Sequence, residues 1–139
     1  MPPNTSPNFT TTPNCTTKNI PATADTSRTS PSNVTAVLTG ATNGTLVEAL
    51  SFIATGTTTA GMIRIFHRIA NSGTYHLIGE VAVTAATPSG TVQCWAGTWV
   101  PPANQASPPG QWILPATDVL YVTTHNAEAF SCTPSAGDF

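Results

Sequence analysis

The sequence predicts an all-β protein, an antiparallel β-sandwich or jelly roll preceded by an extended N-terminal arm. Three observations carry that prediction. From Val34 onward, short β-branched and aromatic runs are separated by turn signals at about 8–12-residue spacing. No window of about 12 residues shows helical periodicity of its apolar positions. Charged residues make up 7% of the 139 positions, against about 25% in an ordinary soluble domain, so the Leu, Glu, Lys and Ala habit of helices is missing. A chain of this length has room for one domain.

Residues 1–33 differ from the rest. Six prolines, nine threonines, five asparagines and four serines fill 24 of the 33 positions, and Met1, Phe9 and Ile20 are the bulky apolar side chains. Such a segment buries too little surface to offset its own ordering entropy. Its prolines also bias the chain toward extended conformations. The reading is an arm over residues 1–33 and a sandwich domain over residues 34–139. The arm is a free tail when alone and a strap when laid on another subunit. On this view its removal leaves the stability of the domain nearly unchanged.

The strands follow in order. Residues 34–38 form a short β-branched run, and Asn43-Gly44 gives a tight-turn signal. Residues 45–55 read as a strand with Leu46, Leu50, Phe52 and Ala54 on one parity and Glu48 interrupting it. Residues 62–69 and 74–85 are joined by Ala70-Asn71-Ser72-Gly73, a hairpin signal, and Tyr75, Leu77, Val81 and Val83 alternate with His76, Glu80 and Thr84. Residues 91–100 make the next strand. Pro101, Pro102, Pro108, Pro109 and Gly110 then predict a rigid loop, and residues 112–114, 118–124 and 127–133 complete the set.

Composition excludes several functions. Four basic residues and a net charge of -2 cannot neutralise a useful stretch of phosphate backbone, which argues against nucleic acid. No apolar run approaches the ~18–20 residues of a membrane-spanning helix. Met1-Pro2-Pro3-Asn4 lacks a basic region and an apolar core, so no secretory leader is expected. Cys15, Cys94 and Cys132 have no CxxC or metal-ligand spacing and read as reduced thiols, with a Cys94–Cys132 bridge as the alternative. Sequons at Asn4, Asn8, Asn14, Asn33 and Asn43 follow from the density of Thr and Ser, which total 36. No metal or cofactor set is apparent.

Catalytic constellations are equally sparse. His67, His76 and His125 have no HxH or HExxH spacing. Ser131, His125 and Asp118 are the nearest approach to a triad, but no nucleophile elbow surrounds the serine. Glu48 and Glu80 are better explained as solvated strand positions than as a glycosidase pair. Arg64 and Arg68 share a parity on one strand. A cross-strand ion pair of these arginines with Glu80 is the structural reading, and a subunit interface at Arg64 and Arg68 the functional one. Trp95 and Trp99 share a parity with Gly97, which suits core packing.

The stretches Ala54-Thr55-Gly56-Thr57-Thr58-Thr59-Ala60-Gly61-Met62-Ile63-Arg64-Ile65-Phe66, Glu80-Val81-Ala82-Val83-Thr84-Ala85-Ala86-Thr87-Pro88-Ser89 and Thr123-Thr124-His125-Asn126-Ala127-Glu128-Ala129-Phe130 resemble segments of small virion proteins of tailed bacteriophages. The likeness spans roughly residues 44–139 and rests on turns and strands. Proteins of this kind resemble capsid decoration, or cement, proteins. The resemblance implies a non-enzymatic β-sandwich knob, often a homotrimer, on the outer capsid surface of a virion assembled in the host cytoplasm, with the major capsid protein as partner. The arm has no counterpart in that resemblance. As a strap it would contact the capsid through Phe9, Cys15 and Ile20. The rival function is a tail fibre or receptor-binding head, with Trp95, Trp99 or Trp112 stacking on host glycans.

Overall fold

A computed structural model describes residues 10–102 and 111–139. Among these, ten strands run in chain order as β1 (Thr12–Pro13), β2 (Lys18–Ile20), β3 (Thr35–Thr39), β4 (Thr45–Ala54), β5 (Gly61–Arg68), β6 (His76–Val83), β7 (Ala96–Trp99), β8 (Trp112–Leu114), β9 (Val119–Thr124) and β10 (Phe130–Asp138), with one 3-10 turn at Ile69–Asn71. They form two antiparallel sheets. The first has the order β1-β10-β4-β7, with β2 also on β10 and β8 also on β4; the second has the order β3-β9-β5-β6. The expected β-sandwich is the fold.

The inward faces close on one another as alternation requires. Val47, Leu50, Phe52 and Phe130 of the first sheet join Ile63, Ile65, Leu120 and Val122 of the second in one buried cluster. Gly79 on β6 faces the first sheet at close range. A Cβ there would lie 2.1 Å from the indole nitrogen of Trp99 on β7, so a glycine is needed where the tryptophan seats. Trp95 packs edge-on against Phe130 at 5.7 Å.

Several local expectations shift. The Asn43-Gly44 turn forms, with the Gly44 N–H donating to the Ala41 carbonyl, but it carries the chain from the second sheet to the first and makes no hairpin. In β4 the ladder with β10 slips between Ser135 and Ala136, which pair with Ala49 and Val47 and leave Glu48 as an extra residue. That bulge flips the parity. Val47 is therefore buried together with Leu50, Phe52 and Ala54, whereas Leu46 is only half-buried. The hairpin between β5 and β6 forms, but its ladder slips between Ile65 and Phe66 and leaves Ile78 as an extra residue. Leu77 therefore pairs with the outward Phe66 while Val81 pairs with the inward Ile63, and the expected single parity of Tyr75, Leu77, Val81 and Val83 is broken. Strand β7 is shorter than residues 91–100, and β10 begins at Phe130 and runs to Asp138, later than residues 127–133. Pro108, Pro109 and Gly110 of the expected rigid loop lie outside the described residues.

The arm is the larger correction. Phe9 lies outside the described residues, but residues 10–33 lie on their own sandwich. β1 and β2 both pair with the outer edge of β10. Ile20, expected at a capsid contact, is 2% exposed and belongs to the core cluster. Ala24 bridges Thr124 in parallel, and the Asp25 N–H donates to the Thr124 carbonyl at 2.8 Å. The composition argument failed because these residues borrow apolar surface from the domain instead of burying their own. The cooperative unit thus includes Ile20 and the residues up to Val34, and deleting residues 1–33 would open it.

This assignment makes a stability prediction. Ile20→Ala should cost about 2–5 kcal/mol, the range for truncating a fully buried aliphatic side chain. Thr12→Ala, at an exposed position of β1, should stay within about 0.5 kcal/mol. Urea unfolding of both variants measures the contrast, and equal small losses would show that the arm is peripheral at Ile20 as well.

Candidate functional site

The two outward sheet faces have opposite characters. On the second sheet, β5 directs Ile63, Ile65 and His67 inward, so Arg64, Phe66 and Arg68 project outward. Arg64 and Phe66 are nonetheless fully buried, because the chain covers this face itself. Arg64 is held from three sides. Its Nε donates to Glu80 Oε1 at 3.0 Å, its Nη1 donates to the Asp25 carbonyl at 3.2 Å, and its Nη2 lies 3.3 Å from His125 Nδ1. A guanidinium only donates, so His125 Nδ1 is the acceptor and the ring proton sits on Nε2. Arg28 Nε reaches the same Glu80 oxygen at 2.9 Å. The expected pairing of Arg64 with Glu80 is realised, and the reading of Arg64 as a free interface residue is corrected by its 2% exposure. Arg68 turns back on its own hairpin, stacking over Tyr75 at 4.7 Å and donating from Nε to the Gly73 carbonyl.

Asp25 closes the covering loop. Its carboxylate accepts from the N–H groups of Ser27 (2.9 Å), Ser32 (2.7 Å) and Asn33 (2.8 Å). Burial works against the charged form, and the hydrogen bonds from Asn33, Ser32 and Ser27 outweigh it, so the carboxyl sits below its ordinary value. Residue-by-residue reading missed this centre. Its signal was present in Asp25 with Ser27 two residues on and Ser32-Asn33 directly after Pro31, a composition that favours Asx-type turns.

At the far end of β5, His67 Nε2 meets Asp118 Oδ2 at 2.6 Å, and Asp118 Oδ1 accepts from the Ala70 N–H at 2.8 Å. Ala70 and Asn71 have positive φ, and this carboxylate together with the Tyr121 hydroxyl, 2.7 Å from Asn71 Oδ1, pins the strained hairpin turn. The structure therefore gives Asp118 to His67 and His125 to Arg64, and Ser131 sits on β10 opposite Ile53 and Asn19. The three triad candidates are not brought together. Glu48 and Glu80 lie on different sheets.

Among the described residues, the outward face of the first sheet has no such cover. Ser131, Thr133 and Ser135 of β10 stand beside Ser51 and Ile53 of β4 and Thr98 of β7. These side chains are exposed or half-exposed, with Ile53 at 54%. Glu48, at the bulge, lies at the margin of this hydroxyl-rich surface and is reached by Ser135 Oγ at 3.4 Å. A groove of about 320 Å³ runs along the same margin between residues 10–13 and Leu46, Glu48 and residues 135–137.

The aromatic and thiol groups are engaged internally. Trp99 is buried, Trp95 packs on Phe130, and Trp112 meets the His67 ring edge-on at 4.9 Å. Trp95 and Trp112 are half-buried, so each keeps part of its ring exposed. Cys94 and Cys132 are unbridged, and burial pushes the Cys132 thiol up to about 12. Cys15 is exposed, its Sγ donating to the Ala136 carbonyl at 3.4 Å. Among the described residues no group of three or more His, Cys, Asp or Glu side chains is placed to hold a metal, and no helix is long and apolar enough to cross a membrane.

Comparison of the chain with protein-family models, with curated proteins and with solved structures finds no match.

The lowered Asp25 value carries a sign. A depressed folded pKa gives stability that is present in full above the unfolded value, about 3.9 for aspartate, and lost as pH falls through the folded value. Asp25→Asn should therefore cost about 1–3 kcal/mol near neutral pH. The gap to the parent should close at pH values below the folded pKa, where both side chains are neutral. Denaturation curves from pH 7 to pH 2 test this, and a gap independent of pH would contradict it.

Proposed function

We propose that the chain is a non-enzymatic structural virion protein, a capsid decoration protein that stabilises a tailed-phage head from its outer surface. The observation that carries the reading is the uncharged, hydroxyl-rich outward face of the first sheet, centred on Ser51, Ile53 and Thr133. A face of hydroxyls around one exposed apolar side chain, Ile53, loses little solvation when a permanent partner covers it. The opposite sheet spends its charges internally on Arg64, Glu80 and Arg28, which leaves little long-range field for steering to an ionic ligand. The resemblance of residues 44–139 to phage virion proteins supplies the context. The major capsid protein is the proposed partner, and self-association as a homotrimer the proposed state.

Function on this account is thermodynamic. A ligand that binds the assembled shell and not its dissociated subunits stabilises the shell by linkage. Repetition over many sites turns a modest contribution per copy into a large one. The contact moves from Ile20, which the core occupies, to the face around Ile53.

Ile53→Arg places a charge in the centre of that face. Occupancy on undecorated heads of the phage that carries the gene should fall at least about tenfold, equivalent to about 1.4 kcal/mol per site. The isolated protein should unfold within about 0.5 kcal/mol of the parent, as a surface change does. Undiminished occupancy would remove the face from the contact, and failure of the parent to bind heads would refute the decoration reading itself.

A further inference from the structure

The N-terminal segment divides sharply at Ile20. From residue 20 onward the chain is fixed, with Ile20 in the core and Asp25 buried under three N–H donors. Before it, residues 10–19 are exposed at every position except Asn14. They are fastened by short ladders at Thr12–Pro13 and Lys18–Ile20 and by hydrogen bonds from the side chains of Asn14 and Thr17 to Asp138 and Thr133. The packing on both sides is open. The groove of about 320 Å³ flanks residues 10–13, and a second, of about 250 Å³, separates Asn14, Thr16 and Lys18 from β3.

The surface beneath is specific. The segment is held on it by hydrogen bonds, including those of the Thr11 and Asn14 N–H groups to the Asp138 and Ala136 carbonyls, and not by buried side chains. β10 is nine residues long, and without the segment it would present a long unpaired edge, a template for pairing with another chain. Gly137 lets the segment approach. A Cβ there would lie 2.7 Å from the Thr10 side chain. Asp138 accepts from Asn14 Nδ2 at 3.1 Å, and the Thr17 and Thr133 hydroxyls meet at 2.9 Å. The edge of β10 is thus matched to the sequence of residues 10–19, and the chain that carries that sequence is another copy of this one.

We propose that residues 10–19 are an exchangeable strand: they leave β10 of their own chain and pair, in the same register, with β10 of a second copy. Every hydrogen bond lost within the chain is regained between chains, so concentration sets the balance, as in other domain swaps. The hinge lies just before the buried Ile20. Ten extended residues reach roughly 33 Å from that anchor, enough to cross to a neighbour. Residues 20–34 do not take part, because releasing them would strand Arg64 without the Asp25 carbonyl. The proposal goes beyond the capsid reading and does not depend on it, since the exchange takes place between copies of the purified protein.

Two single variants, Thr17→Cys and Thr133→Cys, each on a Cys15→Ser background, test the exchange. Both positions are exposed, and the buried Cys132 thiol, pushed up to about 12, stays out of the oxidation. The two proteins are mixed in urea, refolded together at high concentration and oxidised, and the disulfides are mapped by peptide mass spectrometry. The expected result is an intermolecular 17–133 disulfide whose yield rises with protein concentration. The double variant, oxidised when dilute, should give the same bond within one chain and so establish the register. A mixture in which 17–133 bonds are absent, while the double variant forms its internal bond, would overturn the proposal. Failure of the internal bond as well would overturn it by showing that the segment does not occupy β10.

Discussion

A single buried cation governs the arrangement of this molecule. Arg64 projects from the outward face of β5, where a two-layer sandwich would leave it in water, and it is instead 2% exposed. Removing a guanidinium from water costs several kcal/mol unless its donors are matched. The matching groups come from Glu80 on the neighbouring strand, His125 after β9, and the backbone carbonyl of Asp25. The first two are supplied by the sheet. The third exists only when residues 20–34 are laid across it. The cation and its cover are therefore conditions of one another, and the domain begins near Ile20 because Arg64 requires it.

The same constraint sorts the surface. The second sheet carries Arg64, Glu80 and the aromatic group of Phe66 and Tyr121 with the adjoining Tyr75, and the covering segment with Arg28 lies over much of it. The first sheet keeps serine, threonine and one exposed isoleucine on its outward face. A protein with so few charges gains solubility from hydroxyls and backbone, and such a surface loses little solvation when it meets another. That difference between faces is why the contact in the proposed function is set on the first sheet.

Much of the fold was legible because it is encoded locally. The hairpin at residues 70–73 follows from its turn residues, whereas the register that sets Arg64 opposite Glu80 depends on the slip in the β5–β6 ladder. The sandwich class follows from short strands punctuated by turns. Other features depend on pairings far apart in sequence. The bulge at Glu48 is set by the ladder with β10, so strict alternation placed Leu46 on the wrong face. The docking of Ile20 and Asp25 relies on Phe130 and Thr124, more than 90 residues away, and nothing in the Pro- and Thr-rich composition announces such a partner. At the candidate site, Arg64 was singled out as a residue of consequence, but its neighbours His125 and Asp25 were read as a member of a weak triad and as part of a free arm. A long-range network is visible only once the topology has brought its members together.

The direct test is native-state amide hydrogen exchange, which assigns an opening free energy to each backbone N–H. The amides of Asp25, Ser32 and Asn33 are bonded to the Thr124 carbonyl and to the Asp25 carboxylate. If Arg64 makes residues 20–34 part of the cooperative unit, these amides open together with those of Ile63 and Ile65 in β5. In an Arg64→Met variant they should open well before the sheet does. Rapid exchange at Asp25, Ser32 and Asn33 in the unaltered protein, with β5 still protected, would show that the covering segment is an independent appendage and would contradict the account.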